Sequence, residues 1–208
     1  MLFETAVTML EKRLGQRQDL TADIKESMQF VQDYVLETDH IKFEFQLTER
    51  QTAFTAIGDD RVAHPPMFLA EYEEGSLFLV LDGGAIIPLI KEDLEGLVRK
   101  FGATQGQPIF YARSGSYFRL YPIPEKQYTL RMISYDKAAT LIEGEENVWL
   151  KYAADWLLAE TGKLVAVQIL QNTNLAATFN QQAVDARQRL WRSHEASLAV
   201  NRDMIKGF

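Results

Sequence analysis

The stretch GQPIFYARSGSYFRLYPIPEKQYTLRMISYD, residues 106–136, decides how the middle of the chain is read. It resolves into three short strands. The first covers residues 109–113, and Ser114-Gly115 is a two-residue turn of the kind that closes a tight hairpin, because glycine tolerates positive φ. The second covers residues 116–121. Pro122 and Pro124 have no N–H to give to a ladder and interrupt it, and residues 127–135 form the third strand. Successive side chains of a strand point to opposite faces. Phe118 and Leu120 therefore share one face, and Tyr117, Arg119 and Tyr121 the other. Tyr128, Leu130 and Met132 alternate in the same way with Thr129, Arg131 and Ile133. Both faces carry large side chains, so the outer face is expected to meet something other than water.

Upstream the same period of two continues. From residue 41, Lys42, Glu44 and Gln46 alternate with Phe43, Phe45 and Leu47, which predicts a strand. A polar break at Glu49-Arg50 precedes a further strand over residues 52–57. Strands over 68–73, 77–81 and 85–88 are separated by Glu74-Gly75 and Asp82-Gly83-Gly84, both strong turn signals. A short helix over 92–101 carries Leu94, Leu97 and Val98 and stops at Gly102. Short strands this closely spaced predict a small sandwich or barrel.

The flanks have the period of a helix. Over residues 2–14, Phe3, Val7, Leu10 and Leu14 form one stripe. Over 22–37, Ile24, Met28, Val31 and Val35 repeat it, and Phe30 and Tyr34 are read as widening that core-facing stripe. Residues 140–147, TLIEGEEN, are an acidic loop ending in Asn147, a good N-cap. From 148 to 170 the pattern is apolar nearly all round, which predicts one enclosed central helix in which Gly162 is either a weak point or a close helix contact. A last helix over 175–197 places Phe179, Ala183, Ala186 and Leu190 on one face, and residues 198–208 lack a helical stripe and read as a segment ordered on a partner. The expected class is α+β: a helical bundle from residues 1–40 and 145–197, a β-rich insertion over 41–136 with a short helix near 92–101, and a docking tail over 198–208.

Composition narrows the function. The chain has 208 residues, 47% of them hydrophobic, enough for a real core in one domain or one domain with an insertion. Its net charge of −7 does not suit gripping phosphates over the whole surface. It has no cysteine, which rules out disulfides and thiolate metal sites. No segment has the ~20 apolar residues of a membrane span, and the first residues, MLFETAVTMLEKR, lack the basic start of a secretory signal.

Catalytic groups are sparse. The three histidines, His40, His64 and His194, have no second His at ligand spacing. Asp59, Asp60 and His64, or Glu143, Glu145 and Glu146, are the groups a metal-dependent hydrolase would use; Glu71, Glu73 and Glu74 form another acidic group. None sits beside a phosphate loop or a nucleophile elbow, so the expectation is a non-enzyme that needs no cofactor or metal. Arg187, Arg189, Arg192 and Arg202 near Trp191 suit a protein contact, since Arg and Trp are enriched at interface anchors. The aromatic strand faces also leave open a receptor-binding module.

One series of motifs runs through the second half: Gly-x-Pro, an aromatic strand, a Gly turn, Arg119-Leu120-Tyr121-Pro122-x-Pro124, then Tyr128-Thr129-Leu130. An acidic loop, Asn147-x-Trp149-Leu150 and a long apolar helix follow. This order resembles the head-to-tail adaptor proteins of tailed bacteriophages, which sit beneath the portal. The opening helices, from Ile24-Lys25 to Phe45, are similar to the family's opening, and the resemblance covers most of residues 1–195. It implies a virion protein made in the bacterial cytoplasm and assembled as a ring, generally dodecameric, with the portal protein on one side and a tail or nozzle protein on the other. Double-stranded DNA would pass through the middle without specific binding, and no membrane is involved. It implies a portal-binding role for Leu198, Met204, Ile205 and Phe208 with Arg192 and Arg202, and a subunit or tail interface at Tyr117, Arg119, Tyr121, Tyr128 and Arg131. Glu143, Glu145 and Glu146 would be channel-facing acids that repel phosphates.

Overall fold

In a computed structural model, residues 1–39, 42–72 and 75–205 are described, with residues 52, 53 and 196–205 as backbone only. Helices α1 (Phe3–Arg13) and α2 (Thr21–Val31) open the chain, and α2 continues into a wider turn over Gln32–Leu36. Strands β1 (Leu47–Phe54), β2 (Arg61–Ala63), β3 (Phe68–Glu71), β4 (Leu77–Val80), β5 (Ile86–Pro88) and β6 (Ile90–Lys91) precede helix α3 (Leu94–Phe101). Strands β7 (Gln105–Gly106), β8 (Phe110–Ser114), β9 (Tyr117–Tyr121), β10 (Ile123–Pro124) and β11 (Thr129–Asp136) follow. Helices α4 (Val148–Tyr152), α5 (Ala154–Gln168) and α6 (Thr173–Ile205) close the chain. The whole is α+β, in two compact units: a helical unit of Met1–Gln46 with Lys137–Phe208, and a β unit of Leu47–Asp136.

The helical unit is built around α5. Its residues Trp156, Leu157, Leu158 and Ala159 are all buried, and four consecutive positions sweep most of a helix circumference, so the helix is enclosed. Helices α1, α2 and α6 pack on it. The stripes Phe3, Val7, Leu10 and Ile24, Met28, Val31 are buried as their spacing requires. Gly162 is a close helix contact: a Cβ there would lie 2.5 to 2.7 Å from the Phe179 ring of α6. Two expectations fail here. The apolar run from 148 is not one helix, because Ala153 (φ −135°, ψ 28°) leaves helical geometry between α4 and α5. Nor do residues 42–46 form the expected strand, which begins only at Leu47. Residues Glu44–Gln46 are a 3₁₀ turn, closed by the Phe43 N–H donating to Gln46 Oε1 at 3.0 Å. Phe43 and Phe45 stack at 5.4 Å and both meet Trp149 edge-on. Their alternation records two rings entering a helical core, not a pleat.

Among the described residues the β unit has two larger sheets and a two-stranded parallel one, β10 beside β7. One larger sheet has the order β1-β11-β4-β5, with β3 also pairing with β11; the other has the order β2-β9-β8-β6. Leu77, Leu79, Leu130 and Met132 of the first meet Val62, Tyr111, Phe118 and Leu120 of the second in one core. The hairpin pairs Ser114 with Tyr117, so its loop is Gly115-Ser116, one residue later than expected, with Gly115 at φ 60°. The Glu49-Arg50 "break" is the middle of β1. Arg50 is held by Asp136, and Glu49 accepts from Arg131 at 2.7 Å, so both charges are satisfied inside the sheet. Helix α3, N-capped by Asp93 through the Gly96 N–H at 2.9 Å, lays Leu97 with Leu94 and Phe101 over Ala112, Tyr121 and Phe110. Around Tyr121 the second face of that sheet is thus covered by the chain itself, while Tyr117 on the same face stays exposed.

Candidate functional site

The five strand residues read as an interface have mostly been used within the β unit. Tyr121 is 1% exposed beneath α3, and burial pushes its phenol above its ordinary pKa. Tyr128 is buried too, its hydroxyl 3.2 Å from Glu125. These two cannot offer their rings to another protein. Arg119 Nε donates to Asp60 Oδ2 at 2.5 Å, and Arg131 is tied to Glu49 and lies over the Phe78 ring. Tyr117, 43% exposed at the hairpin, is the one ring of the group that faces outward.

The hydrolase groups are not brought together. Asp60 is held by Arg119, Asp59 Oδ1 accepts the Arg61 N–H at 3.0 Å, and His64 packs 4.2 Å from Phe68 and 4.4 Å from Phe118 between ring centroids. Burial holds His64 below its ordinary pKa. Glu71 turns inward instead of joining an acidic surface: it pairs with Lys91 at 2.9 Å and accepts from the Tyr111 hydroxyl at 3.3 Å. Burial pushes Tyr111 up to about 12, so that hydroxyl stays a donor. Glu73, Glu74 and His40 lie outside the described residues. Among the described residues no three His, Asp or Glu side chains are grouped to hold a metal ion.

Glu143, Glu145 and Glu146 are all exposed, on a loop that also closes the start of α1. The Phe3 N–H donates to Glu145 O at 3.2 Å, and Glu4 accepts from the Gly144 N–H. Glu143 pairs with Lys25, which holds its carboxyl below the usual range, and Glu146 with the Met1 ammonium. Asn147 caps α4 as expected, Oδ1 accepting the Leu150 N–H at 3.0 Å. Its amide also bridges to Gln32 Oε1 at 2.5 Å, tying the loop to α2.

At the far end α6 runs without interruption to Ile205. The expected end at 197, followed by an irregular tail, is corrected: Leu198, Arg202, Met204 and Ile205 lie on this helix, while Phe208 lies outside the described residues. Arg192 is exposed. Arg187 is not available to a partner, since it clamps Asp39 through two contacts of 2.9 and 3.0 Å.

Two features of the helical unit are absent from the expected sites. Phe30 and Tyr34 do not widen the core stripe. They stack on each other at 4.9 Å on the outside of α2, 47% and 66% exposed. At 3.6 residues per turn both lie roughly 100° from the Ile24–Met28–Val31 line, a signal the spacing alone contained. The second is an open cleft of about 380 Å³ lined by Phe43, Phe45, Tyr152, Leu190, Ser193 and His194, with Glu44. Phe45 stacks on Tyr152 at 5.4 Å, and Tyr152 remains 51% exposed. An adjoining cleft of about 400 Å³ shares Tyr152, Leu190 and Ser193 and adds Lys151, Asp155 and Arg189. Such apolar surfaces with a polar rim suit binding a protein rather than turning over a small molecule.

Against models of known families, residues 2–203 match the model described as SU10 adaptor protein. No curated protein matches the chain.

Proposed function

We propose, from the premise that the chain belongs to the SU10 adaptor protein family, a family of phage head-tail adaptors, that it forms a ring beneath the portal, joins the head to the tail and lines the DNA channel. Membership itself makes it a structural component of the virion that associates with portal and tail components. The observation that carries the finer reading is the extent of the match: it runs through both compact units, so helical wall and β insertion come as one family design.

Within this reading the end of α6 is the portal-binding element. Leu198, Met204, Ile205 and Phe208 supply apolar anchors, with Arg192 and Arg202 beside them. The continuous backbone helix to Ile205 makes the contact that of a projecting helix rather than an extended strap. The remaining interface duty of the β unit falls to Tyr117, since Tyr121 and Tyr128 are buried. Twelve copies, the ring size the resemblance implies, would multiply a net charge of −7 into a wall that DNA slides past without sticking. The exposed acids of the 143–146 loop face that channel in this reading, with Glu143 and Glu146 partly neutralised by their own partners.

Removing residues 198–208 tests the portal contact. The shortened chain is expected to keep the thermal unfolding midpoint of the full chain and to lose co-sedimentation with the portal ring. Undiminished co-sedimentation would overturn this assignment of the binding element.

A further inference from the structure

We propose that Asp82 is a modification site: in the folded chain it isomerises to isoaspartate through its neighbour Gly83, and the product opens the turn that holds β5 to β4.

Asp82 is followed by Gly83, and no other Asp or Asn of the chain precedes a glycine. The reaction starts when the backbone nitrogen of the following residue reaches the aspartate Cγ, and a side chain on that residue obstructs the approach. Gly83 has none, and no other group lies within 4 Å of where its Cβ would be. Gly83 and Gly84 stand at φ 98° and 85°, and two glycines in a row let the local chain turn into the attacking geometry at little cost.

The surroundings leave the carboxyl group mobile. Residues 82–88 are all exposed. Lys126 approaches Asp82 at 3.2 Å, but the two side chains are 56% and 99% exposed, a pair that water screens. Other candidates are fixed by their partners. Asp60 and Asp136 are held by Arg119 and Arg50, and Asp93 and Asn147 cap helices. Their side chains are tied away from the next backbone nitrogen.

In the first step the Gly83 nitrogen bonds to Asp82 Cγ and the Cγ–OH bond breaks. One water leaves, made of the carboxyl hydroxyl and the amide proton, and a cyclic succinimide remains. A solvent water then opens the ring. Attack at Cγ restores aspartate. Attack at the main-chain carbonyl carbon breaks its bond to nitrogen, so the chain now runs through Cβ and Cγ and the former main-chain carbonyl becomes a free carboxylate. One water is lost and one regained, and nothing is oxidised.

The added main-chain carbon falls inside a tight turn. Leu81 O accepts the Gly84 N–H at 2.9 Å, and the Leu81 N–H donates to Ala85 O at 2.8 Å. Lengthening the chain between these groups breaks the closure. Little else holds β5: it pairs with β4 over Ile86–Pro88 alone, and Pro88 has no N–H to give. Leu77 and Leu79 of β4 are buried and also pair with β11, and buried Leu89 anchors the far end of β5. The opening is therefore confined to residues 82–88 and spares the core of the β unit.

The full chain is held at neutral pH and physiological temperature, sampled over weeks and digested with trypsin. The peptide 62–91 contains Asp82 as its only Asp or Asn, so isoaspartate detected in it by electron-transfer fragmentation, or by methyl transfer from an isoaspartate methyltransferase, lies at that residue. More than half of all new isoaspartate is expected there. Asp82→Glu, whose ring would need one more carbon, should form none in that peptide and should melt as the parent does. Isoaspartate spread evenly over the Asp-containing peptides, or absent from 62–91, would overturn the site. In the aged chain the amides of residues 84–87 should exchange with solvent about tenfold faster than in fresh chain or in Asp82→Glu kept for the same time, while those of β11 stay protected. Equal exchange would overturn the opening of the turn.

Discussion

Tyr121 of the β unit and the Phe30–Tyr34 pair of the helical unit meet opposite fates, although each unit holds aromatic rings of both kinds: Phe54 is 60% exposed in the β unit, and Phe43 and Trp149 are buried in the helical one. In the β unit, Tyr121 lies on the outer face of its strand and is nevertheless 1% exposed, because α3 folds back over it. In the helical unit, Phe30 and Tyr34 lie on a helix that has a complete buried stripe and are left 47% and 66% exposed. A sheet has two faces, and a β insertion with its own short helix can cover both. Helix α2 has one buried side, and the two rings on its other side stay about half or more open to solvent. Large apolar residues on the outside of α2 are therefore free for a partner in a way that those on β9 are not.

The sharpest way to break this comparison is to truncate its buried member. Tyr121→Ala should cost about 3–5 kcal/mol, the range for deleting a buried aromatic ring, read by chemical denaturation. A loss below about 1 kcal/mol, typical of a surface change, would mean that α3 does not cover it. Next, Gly162→Ala forces a Cβ against the Phe179 ring. Overpacking of this kind costs about 1–3 kcal/mol, and an unchanged unfolding midpoint would deny the close α5–α6 approach.

A smaller effect concerns Glu37, 3% exposed, whose Oε1 accepts the Ala138 N–H at 2.8 Å. Burial raises its carboxyl above the ordinary value, so the folded chain holds that proton more tightly than the unfolded one. This contribution is full below the ordinary carboxylate pKa and is lost as pH rises through the raised one. Glu37→Gln keeps an acceptor for Ala138 and cannot ionise. Its stability relative to the parent should rise with pH across that window, and parallel pH–stability curves would contradict the assignment. The smallest effect belongs to the exposed member of the comparison: Tyr34→Ala should change stability by no more than about 0.5 kcal/mol. A loss as large as that of Tyr121→Ala would mean the ring supports the fold rather than a contact.

Much of the fold was legible because single-residue physics decided it. The stripes of α1 and α2, the cap at Asn147, the glycine of the 115 hairpin and the enclosed α5 each follow from local spacing or local dihedrals. What was not legible depended on partners distant in sequence. Phe43 and Phe45 imitate a strand until Trp149 is placed beside them. Glu49-Arg50 imitates a loop until Arg131 and Asp136 neutralise it. Tyr121 reads as a contact for another subunit or the tail until α3 of the same chain covers it. The outward position of Phe30 and Tyr34 was in the helical spacing from the start, and was obscured by treating every large apolar residue near a stripe as part of it. The cleft by Tyr152 had no sequence signal, since it is assembled from the 43–46 turn, α4 and α6.

The most direct measurement is the mass in solution, by light scattering, of the chain alone and mixed with the portal ring of the same phage. Several copies joining each portal ring is the result predicted for an adaptor ordered by its partner. A chain that stays monomeric in the mixture would contradict the adaptor assembly.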